Sequence, residues 1–182
     1  HEYEYKDSLH LDKGLRGAVA VASVYKQAIF EHKYDTITAL ENYVKVTLSS
    51  GYFFSKSAPS LIVKRNTVGD VYIDVYSKNN GRYEKKLSHK EWDLVYTGDT
   101  IRDINGDGRN DFVVNWYGSS GCCLKAFSNV YLQGENGTFA KDLLFINPTF
   151  SPKEHIVRGV CYGHPGFTEM YKFKWNGALV DT

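Results

Sequence analysis

The sequence predicts an all-β protein, and three observations carry that prediction. Three segments share one design of strand, Asn-Gly turn and returning strand. Asn-Gly between alternating apolar runs is a strong hairpin signal, because the tightest hairpin turns need left-handed residues that Asn and Gly tolerate. Composition agrees: aromatics make up 15% of the 182 residues, with 14 Tyr and only 4 Pro, a bias that suits pleated, half-buried surfaces. The hairpins are also evenly spaced with no linker composition between them, so a single all-β domain over residues 1–182 is expected. Two stacked sheets would make it a β-sandwich, and radial repetition of the hairpins a propeller.

In chain order, residues 1–17 are polar and mixed and read as a loosely held entry segment. Gly17 to His32 is Ala-rich, but Val19, Val21, Val24, Ile29 and Phe30 suit two short strands, which the β character of the rest favours. Val44, Val46 and Leu48 share one strand face with Lys45 and Thr47 opposite, and Ser49-Ser50-Gly51 turns the chain. Val71, Ile73 and Val75 alternate with Tyr72, Asp74 and Tyr76 before Asn79-Asn80-Gly81. Ser88 to Val95 reads as the only plausible later helix, with a simple turn as its alternative. Val130 to Leu132 leads to Asn136-Gly137 and back through Thr138-Phe139. Tyr171, Phe173 and Trp175 alternate with Lys172 and Lys174 ahead of Asn176-Gly177.

With 22 basic and 21 acidic residues the formal net charge is +1, so no bulk field favours nucleic acid. The longest apolar stretch, Ala18 to Val24, is too short to cross a bilayer, and no membrane span is expected. The chain starts at His1 and its only methionine is Met170, so either a leader has been removed or the sequence starts after one, and neither speaks against the export that is expected. A vicinal bond between Cys122 and Cys123 is disfavoured, since adjacent Cα atoms sit about 3.8 Å apart, below the usual disulfide span. One of the two pairing with Cys161 is the better expectation.

The most informative stretch is Asp103-Ile-Asn-Gly-Asp-Gly-Arg-Asn-Asp111, which opens directly into Phe112-Val-Val-Asn-Trp-Tyr117. Calcium takes six or more oxygen ligands on a tightly curved backbone. Asp103, Asn105, Asp107 and Asp111 offer side-chain oxygens, Arg109 offers its backbone carbonyl, and Gly106 and Gly108 permit the curvature. An EF-hand would need a bidentate Glu at the twelfth position of the loop; that position is Val114.

This loop and strand resemble the calcium loops of FG-GAP or VCBS-type repeats, found in integrin α propellers and many bacterial envelope proteins. The resemblance widens in the C-terminal half. It takes in the Gly118-Ser119-Ser120-Gly121 turn, Val130-Tyr-Leu132, Asn147-Pro-Thr-Phe150, Ser151 to Glu154 with Ile156-Val-Arg158, and Tyr171 to Trp175. Together these look like small exported bacterial proteins in which one VCBS-type loop sits in a propeller-like domain. Some members of that group are periplasmic inhibitors of lysozyme-like enzymes. The resemblance implies a small, irregular propeller-like array of antiparallel hairpins and a structural Ca²⁺ ion. It also implies a periplasmic or envelope location and a protein partner, with a peptidoglycan hydrolase as the class and Gly118 to Gly121 as the contacting loop.

No catalytic pattern emerges. The six histidines have no zinc-protease spacing, and Gly118-Ser119-Ser120-Gly121 is not a G-x-S-x-G nucleophile turn; a non-enzymatic role is expected. A second expectation is a glycan-binding module in which Trp92, Trp116, Tyr117 or Trp175 stacks on sugar rings. A basic cluster of Arg82, Lys85, Lys86 and Lys90 could meet an acidic partner, although lysines guarding an edge strand are the default.

Overall fold

A computed structural model describes residues 2–37, 43–118, 125–162 and 166–181. Among the described residues there are thirteen strands and one α-helix, so the fold is all-β as expected. Contacts group the chain into two compact units, residues 1–93 and 94–182.

In the first unit, helix α1 (Glu2–Val24) precedes a five-stranded antiparallel sheet. The strands are β1 (Phe30–Ile37), β2 (Tyr43–Gly51), β3 (Ser60–Asn66), β4 (Asp70–Asn79) and β5 (Arg82–Trp92), hydrogen-bonded in chain order. The helix corrects one expectation, the two strands over Gly17 to His32. Ala18, Ala20 and Ala22 are strong helix formers, and Leu15, Ala18 and Ala22 fall on one helical face. That face packs against Val44, Val46, Leu48, Leu61, Val63 and Tyr76 of the sheet. Val19 and Val21, which suggested strands, lie against the same core. Only Phe30, from the end of the segment, begins a strand.

Ser88 to Val95 is also corrected. It is the continuation of β5 to Trp92 followed by a turn, because residues 88–92 complete the ladder with Asp70 to Asp74. The β4–β5 hairpin turns as the sequence indicates, with Asn80 at φ 47° and Gly81 at φ 80°.

The helix-facing side of this sheet carries a buried ion pair. Arg65 Nη2 donates to Asp74 Oδ2 at 2.7 Å, and the two side chains are 6% and 3% exposed. Desolvating two charges is offset only if their remaining hydrogen-bonding capacity is used. Here Lys85 Nζ lies 2.8 Å from Asp74 Oδ1, Ser88 Oγ donates to the same oxygen, and Arg65 Nη1 donates to the Leu11 carbonyl of α1 at 2.7 Å. One arginine therefore joins β3, β4 and the helix.

The second unit holds two four-stranded antiparallel meanders. The first is β6 (Tyr96–Arg102), β7 (Asp111–Tyr117), β8 (Ala126–Tyr131) and β9 (Leu143–Ile146). The second is β10 (Pro148–Ser151), β11 (Ile156–Tyr162), β12 (Thr168–Asn176) and β13 (Leu179–Asp181), with a short 3-10 turn over Pro152–Glu154. Their shared core takes Val113, Val130 and Phe145 from the first sheet and Val157 and Trp175 from the second. Phe145 meets Trp175 edge-on at 5.7 Å. Tyr171 lies across Gly159, where a Cβ would come within 2.3 Å of its ring, and its hydroxyl donates to the Ile146 carbonyl at 2.8 Å.

Removing the charge from Arg65 should be costly, because Asp74 would stay buried. Arg65→Leu is expected to destabilise the protein by about 3 kcal/mol, the lower end for a broken buried pair since Lys85 remains. Arg65→Leu with Asp74→Val should cost clearly less than Arg65→Leu alone. Urea denaturation of the three proteins checks this; a double variant as unstable as the single one would contradict it.

Candidate metal centre

The segment from Asp103 to Asp111 joins β6 to β7, and its folding begins with one apolar residue. Ile104 is fully buried in the core shared by the two sheets, which pins the loop's first turn. Asp111 closes the loop at the start of β7 and is 0% exposed. Its Oδ2 accepts the Ile104 amide at 2.9 Å and its Oδ1 accepts the Gln133 amide at 2.8 Å.

Between these anchors the loop is held by its own polar side chains, in the manner of Asx-turns. Asp103 accepts from the Gly106 amide at 2.6 Å and the Gly108 amide at 2.9 Å. Asn105 Oδ1 accepts from the Asp107 amide at 3.1 Å, and Asp107 Oδ1 from the Arg109 amide at 2.9 Å. Gly106 and Gly108 sit at φ 85° and 84°, where other residues are strained.

Gly106 is required for a second reason. A Cβ there would lie 2.1 Å from the Pro152 carbonyl and 2.7 Å from the His155 ring. His155 Nδ1 donates to the Asn105 carbonyl at 2.8 Å, which places its proton on that nitrogen. Asn105 Nδ2 donates to the Gly177 carbonyl at 3.4 Å. The loop of the first sheet thus leans on the 3-10 turn and the last hairpin of the second.

The sequence-predicted ligands are brought onto one loop, and their charges are felt. Burial pushes the Asp111 carboxyl up to about 6; its two backbone hydrogen bonds oppose this, and the charges of Asp107 and Asp103 add to it. Three carboxylates against one arginine leave this loop short of positive charge. Arg109 partly answers: its Nη2 donates to Asp107 Oδ2 at 2.6 Å and its Nε to the Gln133 carbonyl at 3.0 Å.

In donor type, charge and curvature the residues fit a hard divalent cation. As folded, however, the carboxylates face the loop's own N–H groups. Among the described residues no three His, Cys, Asp or Glu side chains converge as a metal-binding group. A carboxylate oxygen has two acceptor sites, so an N–H bond and a metal bond are compatible at Asp103, at Asp111 and at Asp107 Oδ1, whereas Asp107 Oδ2 already accepts from both Arg109 Nη2 and Asn105 Nδ2.

Other predicted sites fare differently. Gly118 is exposed just after β7, whereas Ser119, Ser120 and Gly121 lie outside the described residues. Cys161, on β11, is a free thiol, and Cys122 and Cys123 lie outside the described residues. Of the candidate sugar-stacking aromatics, Trp175 is only 6% exposed and belongs to the core. Trp116 stacks on Phe127 at 4.1 Å, so one of its faces is covered. Trp92 and Tyr117 are 44% and 52% exposed. Lys85, Lys86 and Lys90 of the basic cluster each pair with a carboxylate, of Asp74, Glu84 and Asp70.

Sequence reasoning missed Ile104, Gln133, His155 and Gly177. Ile104 was legible as the apolar residue inside an acidic loop. The other three meet the loop from 22 to 72 positions away, and no local pattern marks them.

The two glycines separate strain from collision. Gly108→Ala meets open space and should cost about 1 kcal/mol for a left-handed residue. Gly106→Ala adds overpacking of roughly 1–3 kcal/mol and should be the markedly less stable variant in denaturant titrations. Equal losses at the two positions would contradict the packing described.

Comparison of the chain with protein-family models, with curated proteins and with solved structures finds no match.

Proposed function

We propose that this chain is a non-enzymatic, calcium-stabilised β module of the bacterial envelope that binds a protein partner. The reading rests above all on the loop from Asp103 to Asp111. It presents three carboxylates, the Asn105 and Asn110 carboxamides and two left-handed glycines within nine residues, with its closing carboxylate fully buried. Asp103, Asn105, Asp107, Asp111 and the Arg109 carbonyl would hold the ion. Bound there, calcium would neutralise the loop and brace β6 against β7. Asp107 is the ligand that must be shared with Arg109.

In the same reading the sheets are blades of a small, irregular propeller-like array, with a sandwich as the alternative. Support comes from their order: each is a meander of strands consecutive in sequence, the pattern of a propeller blade. No helix of the described residues is long and apolar enough to cross a membrane. The partner class to test first is a lysozyme-like peptidoglycan hydrolase, met through the loop that begins at Gly118. That step follows from the resemblance of the sequence to exported inhibitors of such enzymes. An export location belongs to the same proposal.

Calcium binding to the folded state alone should raise the melting temperature, by linkage. We expect a calcium-dependent rise of several degrees that chelator reverses and Asp107→Ala abolishes. Identical melts in calcium and in chelator would sink the metal reading.

The partner is tested by binding and turbidity assays against a panel of lysozyme-type hydrolases, with calcium and with chelator. Tight binding that blocks hydrolysis and weakens in chelator is the expected result. Absence of binding to every enzyme would remove the inhibitor role and leave the metal reading standing.

A further inference from the structure

Beside the metal loop, within the second unit, lies a half-open cavity of about 200 Å³. Three turns frame it: the loop at Asn105 to Arg109, the hairpin at Gln133 to Ala140, and the turn at Gly177-Ala178. The hairpin is fixed by an isolated bridge between Gln133 and Phe139 and by the Gly134 amide donating to the Thr138 carbonyl at 2.8 Å. The Asn105 Nδ2 bond to Gly177 ties the third turn to the first. The cavity therefore has a braced frame.

Its lining is divided. Leu132, Phe139, Ala140 and Ala178 supply apolar surface; Asn105, Asp107, Arg109, Gln133 and Thr138 supply polar groups. Formal charge cancels, because the Asp107 and Arg109 side chains pair with one another at 2.6 Å. Polar capacity is left over all the same. The Asp107–Arg109 contact and the bond to the Gln133 carbonyl use only two of the guanidinium's five N–H groups. Gln133 is 7% exposed and its buried carboxamide oxygen has no hydrogen-bond partner, a state that folded proteins seldom leave unanswered. The terminal carboxamide torsion is soft and roughly two-fold, so a half-turn exchanges the oxygen and the amide that face the cavity.

We infer that this cavity is a binding site for a single neutral, polyhydroxylated ring, a monosaccharide unit. The volume of about 200 Å³ is below the roughly 300–1,000 Å³ of pockets for drug-sized molecules, so one ring is what it accommodates. Cancelled charge selects against ions. Hydroxyls that both donate and accept match a wall that offers guanidinium and carboxamide donors with carboxylate and carboxamide acceptors. The C–H face of the ring suits the apolar side. This site is separate from the aromatic surface expected from sequence: it uses neither Trp116 nor Trp175. It also does not depend on the calcium reading, although it shares Asn105, Asp107 and Arg109 with that loop.

The test is saturation-transfer NMR on the full chain with glucose, galactose, mannose and N-acetylglucosamine, in calcium and again in chelator. Transfer to at least one sugar under either condition is expected. Ala178→Trp, a change at an exposed turn residue that fills the cavity, should weaken that binding by roughly tenfold or more at an unchanged melting temperature. Thr138→Val, also at an exposed position, should weaken it by removing one hydroxyl, and decides the matter if the tryptophan variant does not fold. Silence from all four sugars overturns the inference, as does a signal that survives Ala178→Trp in a folded protein. A cavity that instead takes a side chain of a protein partner would give the first of those results.

Discussion

The second unit depends on a carboxylate that has no contact with solvent. Asp111 receives the amides of Ile104 and Gln133, one from the start of its own loop and one from beyond β8. Hydrogen bonds to an ionised group contribute about 1.5–3 kcal/mol each, yet burial and the charges of Asp107 and Asp103 push its carboxyl up. The two tendencies meet in one residue: its hydrogen bonds fix the loop, and its charge adds to the loop's excess of carboxylates. Because Ile104 is driven into the shared core at the same turn, the acidic segment cannot move away from β7 to relieve that repulsion.

The first unit solves a similar problem without leaving charge unanswered. Asp74 is as deeply buried, but Arg65 and Lys85 meet it directly and Ser88 completes its shell. Its partners stand on β3 and β5, the strands on either side of its own, so the charge is spent on cross-linking. The contrast between the two carboxylates is what marks the acidic loop as a candidate site and the ion-pair cluster as a structural one. The basic residues of the β4–β5 hairpin follow the same rule: with Lys85, Lys86 and Lys90 paired, that edge offers an acidic partner little free positive charge.

Sequence carried the local features well. The alternation of Val44, Val46 and Leu48 gives three buried residues on one face of β2, and Asn80-Gly81 turns the β4–β5 hairpin, while the last hairpin turns one residue later than its Asn-Gly pair, at Gly177-Ala178. Both rest on forces acting within a few residues. The helix was misread because its evidence is divided: alanines favour a helix, valines a strand, and packing of Leu15, Ala18 and Ala22 on the sheet decides. Ser88 to Trp92 was misread for the opposite reason, since its strand state comes from pairing with Asp70 to Asp74. At the site, the oxygen donors were legible by spacing alone. Their supports were not, as with His155, which reaches Asn105 across 50 positions of sequence.

The order of the strands has a kinetic consequence. Each sheet joins only strands that follow one another in the chain, and contacts between near neighbours form with little loop-closure entropy. The three meanders can therefore assemble early and separately. The contact of His155 with Asn105 spans 50 residues and waits for two finished sheets to dock. The acidic loop would then take its final shape only as the core around Ile104 closes, since its supports come from both sheets of this unit.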